Sequence, residues 1–140
     1  FMGWAMSAAG YIRVDRNNRK KSYQAFLNTI ESVKVGNSII IFPEGTRSVD
    51  GSIGPFKKGS HLLAQRANVP MVPITIIGTR NIIRKGSILI HPGPVKIIIS
   101  PEVTLLSKDR EKGDDMLQDI RNTICDNFKN YQIDFTKDQI

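Results

Sequence analysis

Ile39-Ile40-Ile41-Phe42-Pro43-Glu44-Gly45-Thr46-Arg47-Ser48 is the stretch that decides the fold. Four large apolar residues in a row end at a proline. A short apolar run bounded by turn residues has the pattern of a strand buried on both faces, as in a parallel sheet. Pro43 has no amide hydrogen and cannot continue a central ladder, so a strand over Ser38 to Phe42 should end there. In open α/β sheets ligands bind just outside the carboxyl ends of strands, which is where Glu44, Gly45, Thr46, Arg47 and Ser48 would stand. Their chemistry suits an oxyanion. Arg47 offers a planar fork that matches phosphate with two parallel hydrogen bonds. Gly45 lets backbone amides approach closely or take positive φ. Thr46 and Ser48 add hydroxyl donors. The alternative is a polar turn capped by Thr46 or Ser48, with Glu44 and Arg47 as a surface ion pair.

Upstream, Ile12 to Val14 reads as a short strand with Asp15 and Arg16 at its carboxyl end. Ser22 to Lys34 reads as a helix, because Tyr23, Phe26, Leu27, Ile30 and Val33 recur on one face. Gly36-Asn37 ends it. Strand, helix, strand makes a βαβ unit with a right-handed crossover. Downstream, Ser48 to Pro55 is a loop punctuated by Asp50-Gly51 and Gly54-Pro55. Phe56-Lys57-Lys58-Gly59 leads into a helix from about Ser60 to Asn68. The amides and positive dipole end of that helix would face the anion position. Lys57 or Lys58 would add a point charge there; a solvated lysine is the alternative for either.

Val69 to Ile77 reads as a second buried strand, whose Pro70 and Pro73 imply an edge, a bulge or a strand end. Gly78 to Gly86 is a basic loop with Arg80, Arg84 and Lys85, facing lipid headgroups or simply solvated. Ser87 to Ile90 and Val95 to Ser100 read as two strands. His91-Pro92-Gly93-Pro94 between them is short enough for an antiparallel hairpin. Pro101 to Leu106 is a linker. Lys108 to Asn130 is a long amphipathic helix with Leu117, Ile120, Ile124, Phe128 and Tyr131 as its stripe. Gln132 to Ile140 is a frayed tail. The expected fold is α/β, a mostly parallel central sheet flanked by helices, in one domain over residues 1 to 140.

The composition is that of a globular domain, 40% apolar and 24% charged. One cysteine, Cys125, excludes an internal disulfide, and no spacing fits a metal site. The charge is uneven. Residues 1 to 100 hold 14 Lys and Arg against 4 Asp and Glu, and residues 101 to 140 hold 6 against 9, consistent with a net +7. The candidate ligand-binding stretches all lie in the basic part, which favours an anionic partner such as lipid phosphate, a membrane surface, an acidic carrier protein or nucleic acid. Aromatic residues do not interleave with the basic clusters, which argues against nucleic acid. Dinucleotide and phosphate-loop glycine motifs and a nucleophile elbow are absent from the sequence. No apolar run approaches the ~20 residues that span a bilayer. Phe1 to Tyr11 is either a helix packed on the sheet or an interfacial segment.

Phe42-Pro43-Glu44-Gly45-Thr46-Arg47-Ser48 resembles the third sequence block of the glycerolipid acyltransferases that acylate lysophosphatidic acid. Gly10-Tyr11-Ile12-Arg13-Val14-Asp15-Arg16 resembles their second block, and Val72-Pro73-Ile74-Thr75-Ile76 their fourth. Phe56-Lys57-Lys58-Gly59 follows the third block as in that family. The resemblance implies a glycerol-3-phosphate acyltransferase-like fold and transfer of a fatty acyl group from a thioester to lysophosphatidate, giving phosphatidate. Arg16 and Arg47 would hold the phosphate, assisted by Lys57 or Lys58. Glu44 would bond the glycerol or orient Arg47 and the loop, while Val72, Pro73 and Ile74 would border the acyl chain. Acyl-CoA or acyl-acyl carrier protein would be the co-substrate, with no cofactor, no metal and no nucleic acid. Acyl carrier protein and an anionic membrane surface would be the partners, on the cytoplasmic side of a membrane. The family's first block is a His followed five residues later by an Asp, the His being the general base. Here Arg66 stands five residues after His61 and Lys96 five after His91, so neither makes the pair. The implied reading is a fragment of a longer acyltransferase that keeps substrate recognition and has no catalytic residue of its own. A non-catalytic anionic-lipid-binding protein and a basic nucleic-acid-binding domain are the alternative classes.

Overall fold

The computed structural model describes residues 10–12, 18–104 and 113–131, the side chains of His61 and Asp114 excepted. The elements in order are α1 (Arg19–Lys34), α2 (Gly59–Ala67), β1 (Ile74–Ile77), the single turn α3 (Thr79–Ile82), β2 (Lys96–Ile99) and α4 (Gly113–Asn130). The three long helices are those the periodicity predicts, with small shifts at their ends; residues 108–112 lie outside the described residues.

α1 begins where Asn18, in extended backbone, accepts the Lys21 N–H on its Oδ1 at 3.0 Å, satisfying one orphan amide of the first turn. Its buried face centres on Ile30, 4% exposed, which packs on Leu63 and Ala67 of α2 with Phe26, Val33 and Val69 around them. Tyr23, the first residue of the predicted stripe, stays exposed. α2 ends at Asn68 in the left-handed region (φ 55), whose N–H reaches back to the last turn. A second cluster forms where Met116 and Ile120 of α4 meet Phe56, Met71, Val103 and Ile124.

β1 and β2 pair antiparallel, in the register Ile74–Ile99, Thr75–Ile98, Ile76–Ile97 and Ile77–Lys96. Strand alternation buries Thr75 and Ile77 while Ile74 and Ile76 are exposed. Thr75, 1% exposed, has its hydroxyl satisfied by Asn127 Nδ2 of α4 at 3.3 Å, and the same amide donates to Ser100 Oγ at 3.0 Å. A buried hydroxyl without such a partner would be costly. An isolated bridge between Met71 and Val103 extends the pairing on one side.

Several expectations are corrected. Among the described residues the sheet is two-stranded and antiparallel, and the mostly parallel central sheet is not seen there. Ser38 to Phe42 is not a strand: Ile40 is 78% and Phe42 70% exposed. Strand geometry needs a neighbour on which to spend its backbone donors and acceptors. Among the described residues no segment forms backbone bonds with 38–41, and the Phe42 carbonyl is taken by the Gly45 N–H at 3.0 Å as the turn begins. Among the described residues the βαβ unit is therefore not seen: Ile12 is not in a strand, and Arg13 and Val14 lie outside the described residues. Ser87 to Ile90 is not a strand either, and Ile88 is 98% exposed. Local bonds replace the expected hairpin: Ser87 N–H donates to Arg84 O, Leu89 N–H to Ser87 Oγ and His91 N–H to Ile82 O. Val95 to Ser100 instead finds β1, so the strand at Val69 to Ile77 shortens to Ile74–Ile77 plus the bridge at Met71. Pro73 sits just before β1, the strand-end position a proline tolerates. The Pro101 to Leu106 linker carries the Val103 bridge, and α3 occupies part of the Gly78 to Gly86 loop.

Candidate functional site

The turn after Phe42 is built from its own side chains. Gly45 takes φ +68, a left-handed conformation that favours glycine. A methyl group on Gly45 would lie 2.9 Å from Lys57 Nζ, so the Lys57 side chain runs directly over this glycine. Lys57 is fixed at its backbone, where its N–H donates to Pro43 O at 2.9 Å. Glu44 Oε2 accepts the Gly54 N–H at 2.9 Å, closing the loop from 44 to 54. Inside that loop Ser48 Oγ donates to Asp50 Oδ1 at 3.0 Å and accepts the Gly51 N–H at 2.8 Å. Ser52 donates to the same carboxylate through both its N–H and its hydroxyl, at 3.0 and 2.7 Å. The Ser52 hydroxyl first, then the Ser52 amide and the Ser48 hydroxyl, lower the Asp50 pKa from 3.8 to about 2.

Two long-range cations complete the structure. Arg80 of α3 donates to Val49 O at 3.0 Å. Arg121 of α4 forks onto two carbonyls, Gly54 O at 2.9 Å and Ile53 O at 2.8 Å.

These bonds surround an open concavity of about 460 Å³, lined by Glu44, Thr46, Arg47, Ser48, Val49, Asp50, Ser52, Gly54 and Lys85. Arg47 is exposed. Lys85 Nζ lies 3.4 Å from Thr46 Oγ1, so the loop after α3 brings a second cation to the rim. The two carboxylates of the lining are already engaged by Gly54, Ser48 and Ser52. That leaves the Arg47 and Lys85 donors beside hydroxyls at an open mouth, where they can bond an oxyanion directly, the two cations and two carboxylates of the lining cancelling in net charge.

The structure thus gathers Glu44, Gly45, Thr46, Arg47 and Ser48 in one place, with Lys57 beside them. It separates the two lysines. Lys58 lies on the rim of a different hollow of about 260 Å³, with Phe56, Leu117 and Arg121. Among the described residues none of α2 lines the concavity around Arg47. Pro73 is buried, its carbonyl accepting the Ser100 N–H at 3.0 Å, while Val72 and Ile74 are exposed; none of the three lines either hollow. Arg16 lies outside the described residues. Among those described, no group of three or more His, Cys, Asp and Glu is placed to hold a metal, and no helix is long and apolar enough to cross a membrane. Lys85, read only as part of a basic loop facing headgroups or solvent, and Arg121, not singled out, are the residues that sequence reasoning did not place at this site. The basic run Arg84-Lys85 just after an apolar strand was the available signal for the first. For the second it was a lone arginine beside the apolar stripe of an otherwise acidic helix.

Residues 1–77, which include this turn, match the family model described as Acyltransferase. The chain belongs to the acyltransferase family. Over 127 residues, 89% of the chain, it is 40% identical to a chloroplastic 1-acyl-sn-glycerol-3-phosphate acyltransferase of Brassica napus, and covers 35% of that protein. It is 43% identical over 100 residues, 70% of the chain, to a chloroplastic enzyme of the same name from Arabidopsis thaliana, covering 28% of it. The crystal structure of a 1-acyl-sn-glycerophosphate (LPA) acyltransferase from Thermotoga maritima superposes with a TM-score of 0.72 at 32% identity, over 79% of this chain and 45% of that one. The chain spans about a third of the length of the plant relatives it matches.

Proposed function

We propose that this acyltransferase chain serves the acylation of lysophosphatidate to phosphatidate and supplies the seat for the acceptor's phosphate. The observation that carries the reading is the concavity at Glu44 to Ser48, where Arg47 and Lys85 arrive from different loops onto one opening beside the Thr46 and Ser48 hydroxyls. The names of the relatives supply the substrate class. Arg47 takes the phosphate bidentately, Lys85 and Lys57 add charge, and Arg16 joins from the second sequence block. Glu44 holds the loop through Gly54 rather than touching glycerol. Val72, Pro73 and Ile74 border the acyl chain.

In the reaction the free hydroxyl of lysophosphatidate attacks the carbonyl carbon of an acyl thioester, either acyl-CoA or acyl-acyl carrier protein. A C–O bond forms, the C–S bond breaks, and the thiol leaves with the proton that a general base has taken from the hydroxyl. Fixing the acceptor by its phosphate contributes through orientation, an effect worth ~7 kcal/mol or more in well-placed systems. The base, worth ~10²–10⁴-fold, belongs to the family's His and Asp block and not to His61 or His91. No cofactor takes part. The partners are an anionic membrane surface, on its cytoplasmic side, and acyl carrier protein where that is the donor.

The experiment is acyl transfer from an acyl thioester to lysophosphatidate, measured for this chain and for the chain joined to the His and Asp block of a relative. Activity only in the joined form supports the reading. Full activity in the short chain would contradict the assignment of the base, and failure of both to bind lysophosphatidate would contradict the substrate.

A further inference from the structure

Arg121 stands on α4, outside the 1–77 segment that matches the family model. Its guanidinium nevertheless ends on the loop of the anion site. Nη2 donates to Ile53 O at 2.8 Å and Nε to Gly54 O at 2.9 Å. The N–H of Gly54 donates to Glu44 Oε2 at 2.9 Å. Ile53 C=O and Gly54 N–H belong to one peptide group, and no peptide bond described is cis. In a trans peptide the carbonyl and the N–H point in opposite directions. One peptide plane is therefore gripped by a cation on its oxygen side and by a carboxylate on its hydrogen side.

This geometry does more than tether. A charge on the carbonyl polarises the peptide and strengthens its N–H as a donor, so the two bonds reinforce each other. Both contacts are partly buried, where such polarisation is least screened. Among the described residues Arg121 makes no ion pair with a carboxylate, although α4 carries Asp115, Asp119 and Asp126. Its Nε and Nη2 are both spent on the loop. Glu44 is in turn the residue before Gly45, at the start of the turn that displays Thr46, Arg47 and Ser48.

We propose that Arg121 is a positioning residue for the anion site, acting through the Ile53–Gly54 peptide to fix Glu44 and so the turn that carries Arg47. The inference rests on the reading of that concavity as the phosphate seat. It ties the C-terminal helix to substrate affinity, although no described residue of that helix lines the concavity around Arg47. Lysine cannot replace arginine fully, because an ammonium lacks the planar fork that spans two carbonyls.

The test uses the full 140-residue chain with Arg121→Ala, Arg121→Lys, Glu44→Gln and the double Arg121→Ala/Glu44→Gln. Affinity for a short-chain, monomeric lysophosphatidate is read by calorimetry, and hydrogen exchange of the Gly54 amide by NMR. Arg121→Ala and Glu44→Gln should each weaken binding roughly 10-fold, and the double variant no more than either alone, because the first removes the charge on the carbonyl side of one relay and the second, while keeping an acceptor oxygen, removes the charge on its N–H side. The Gly54 amide should exchange about 10-fold faster in Arg121→Ala, with Arg121→Lys between it and the parent. Wild-type affinity in Arg121→Ala, or losses that multiply in the double variant, would overturn the proposal. If the parent chain binds no lysophosphatidate, the substrate reading fails separately. Gly54 exchange then decides the relay: unchanged exchange in Arg121→Ala overturns it and faster exchange upholds it. If Arg121→Ala does not fold, Arg121→Lys carries the same comparison.

Discussion

Two neighbouring stretches of this chain behave in opposite ways. Residues 39–42 are apolar, and the sequence marks Ser38 to Phe42 as a core strand; yet Ile40 and Phe42 are largely exposed. Residues 43–54 are polar and glycine-rich, the usual composition of a loose loop; yet they are held by bonds from Glu44, Ser48, Asp50, Ser52, Arg80 and Arg121. The difference lies in where the partners are. A strand can be satisfied only by another strand along its whole length. A polar turn carries most of its own partners two to ten residues away, and needs only single side chains from elsewhere. Order in this part of the molecule follows hydrogen-bond supply rather than hydrophobicity.

The largest test of that contrast places the same charge in a true core strand and in the exposed run. Ile77→Asp buries a carboxylate at a site 4% exposed, in β1 beneath α4. It should cost more than ~4 kcal/mol and leave the chain unfolded at 25 °C by circular dichroism. Gly45→Ala comes next. Alanine at φ +68 is strained, and its methyl group must displace the end of the Lys57 side chain. A loss of about 1 kcal/mol in urea denaturation is expected. Ile40→Asp, by contrast, should change stability by less than ~0.5 kcal/mol, because the side chain stands in solvent. A drop comparable to that of Ile77→Asp would show that residues 38–42 are core after all.

The smallest effect concerns pH and is confined to the turn. The Asp50 pKa is lowered to about 2 in the folded chain. A carboxyl with a depressed folded pKa contributes its stabilisation above its unfolded value and loses it as the pH falls through the folded one. The Ser48–Asp50–Ser52 bonds should therefore persist from neutral pH down to about 4 and dissolve between there and about 2. The Ser52 amide resonance should report this, and Asp50→Asn should remove the titration. A midpoint near 4 would contradict the bonding described.

The sequence made some of this legible and hid the rest for physical reasons. The helices could be read because an amphipathic stripe is a local property: Ile30, Leu117 and Ile120 point to the core on 3.6-residue periodicity alone. The gathering of Glu44 to Ser48 in one turn could be read because these residues are contiguous. The strands were less legible. Ile39 to Phe42, Ser87 to Ile90 and Ile97 to Ile99 share one apolar character, and only Ile97 to Ile99 lies in a strand paired with β1. Pairing is a non-local choice that a single segment does not encode. Lys85 and Arg121 were illegible as site residues for the same reason. Their partners, Thr46 and the Ile53–Gly54 backbone, lie 39, 68 and 67 positions away.

The central claim is that Arg47 receives the phosphate of lysophosphatidate. Calorimetric titration of the parent chain, Arg47→Ala and Arg47→Lys with lysophosphatidate, and with the monoacylglycerol that lacks only its phosphate, tests it most directly. The account predicts a loss of roughly 10- to 100-fold for Arg47→Ala on lysophosphatidate, the value of one or two charge-assisted bonds. Arg47→Lys should recover part of that loss, and the monoacylglycerol should bind all three proteins equally weakly. Equal losses on the two lipids would show that Arg47 shapes the turn and does not hold phosphate.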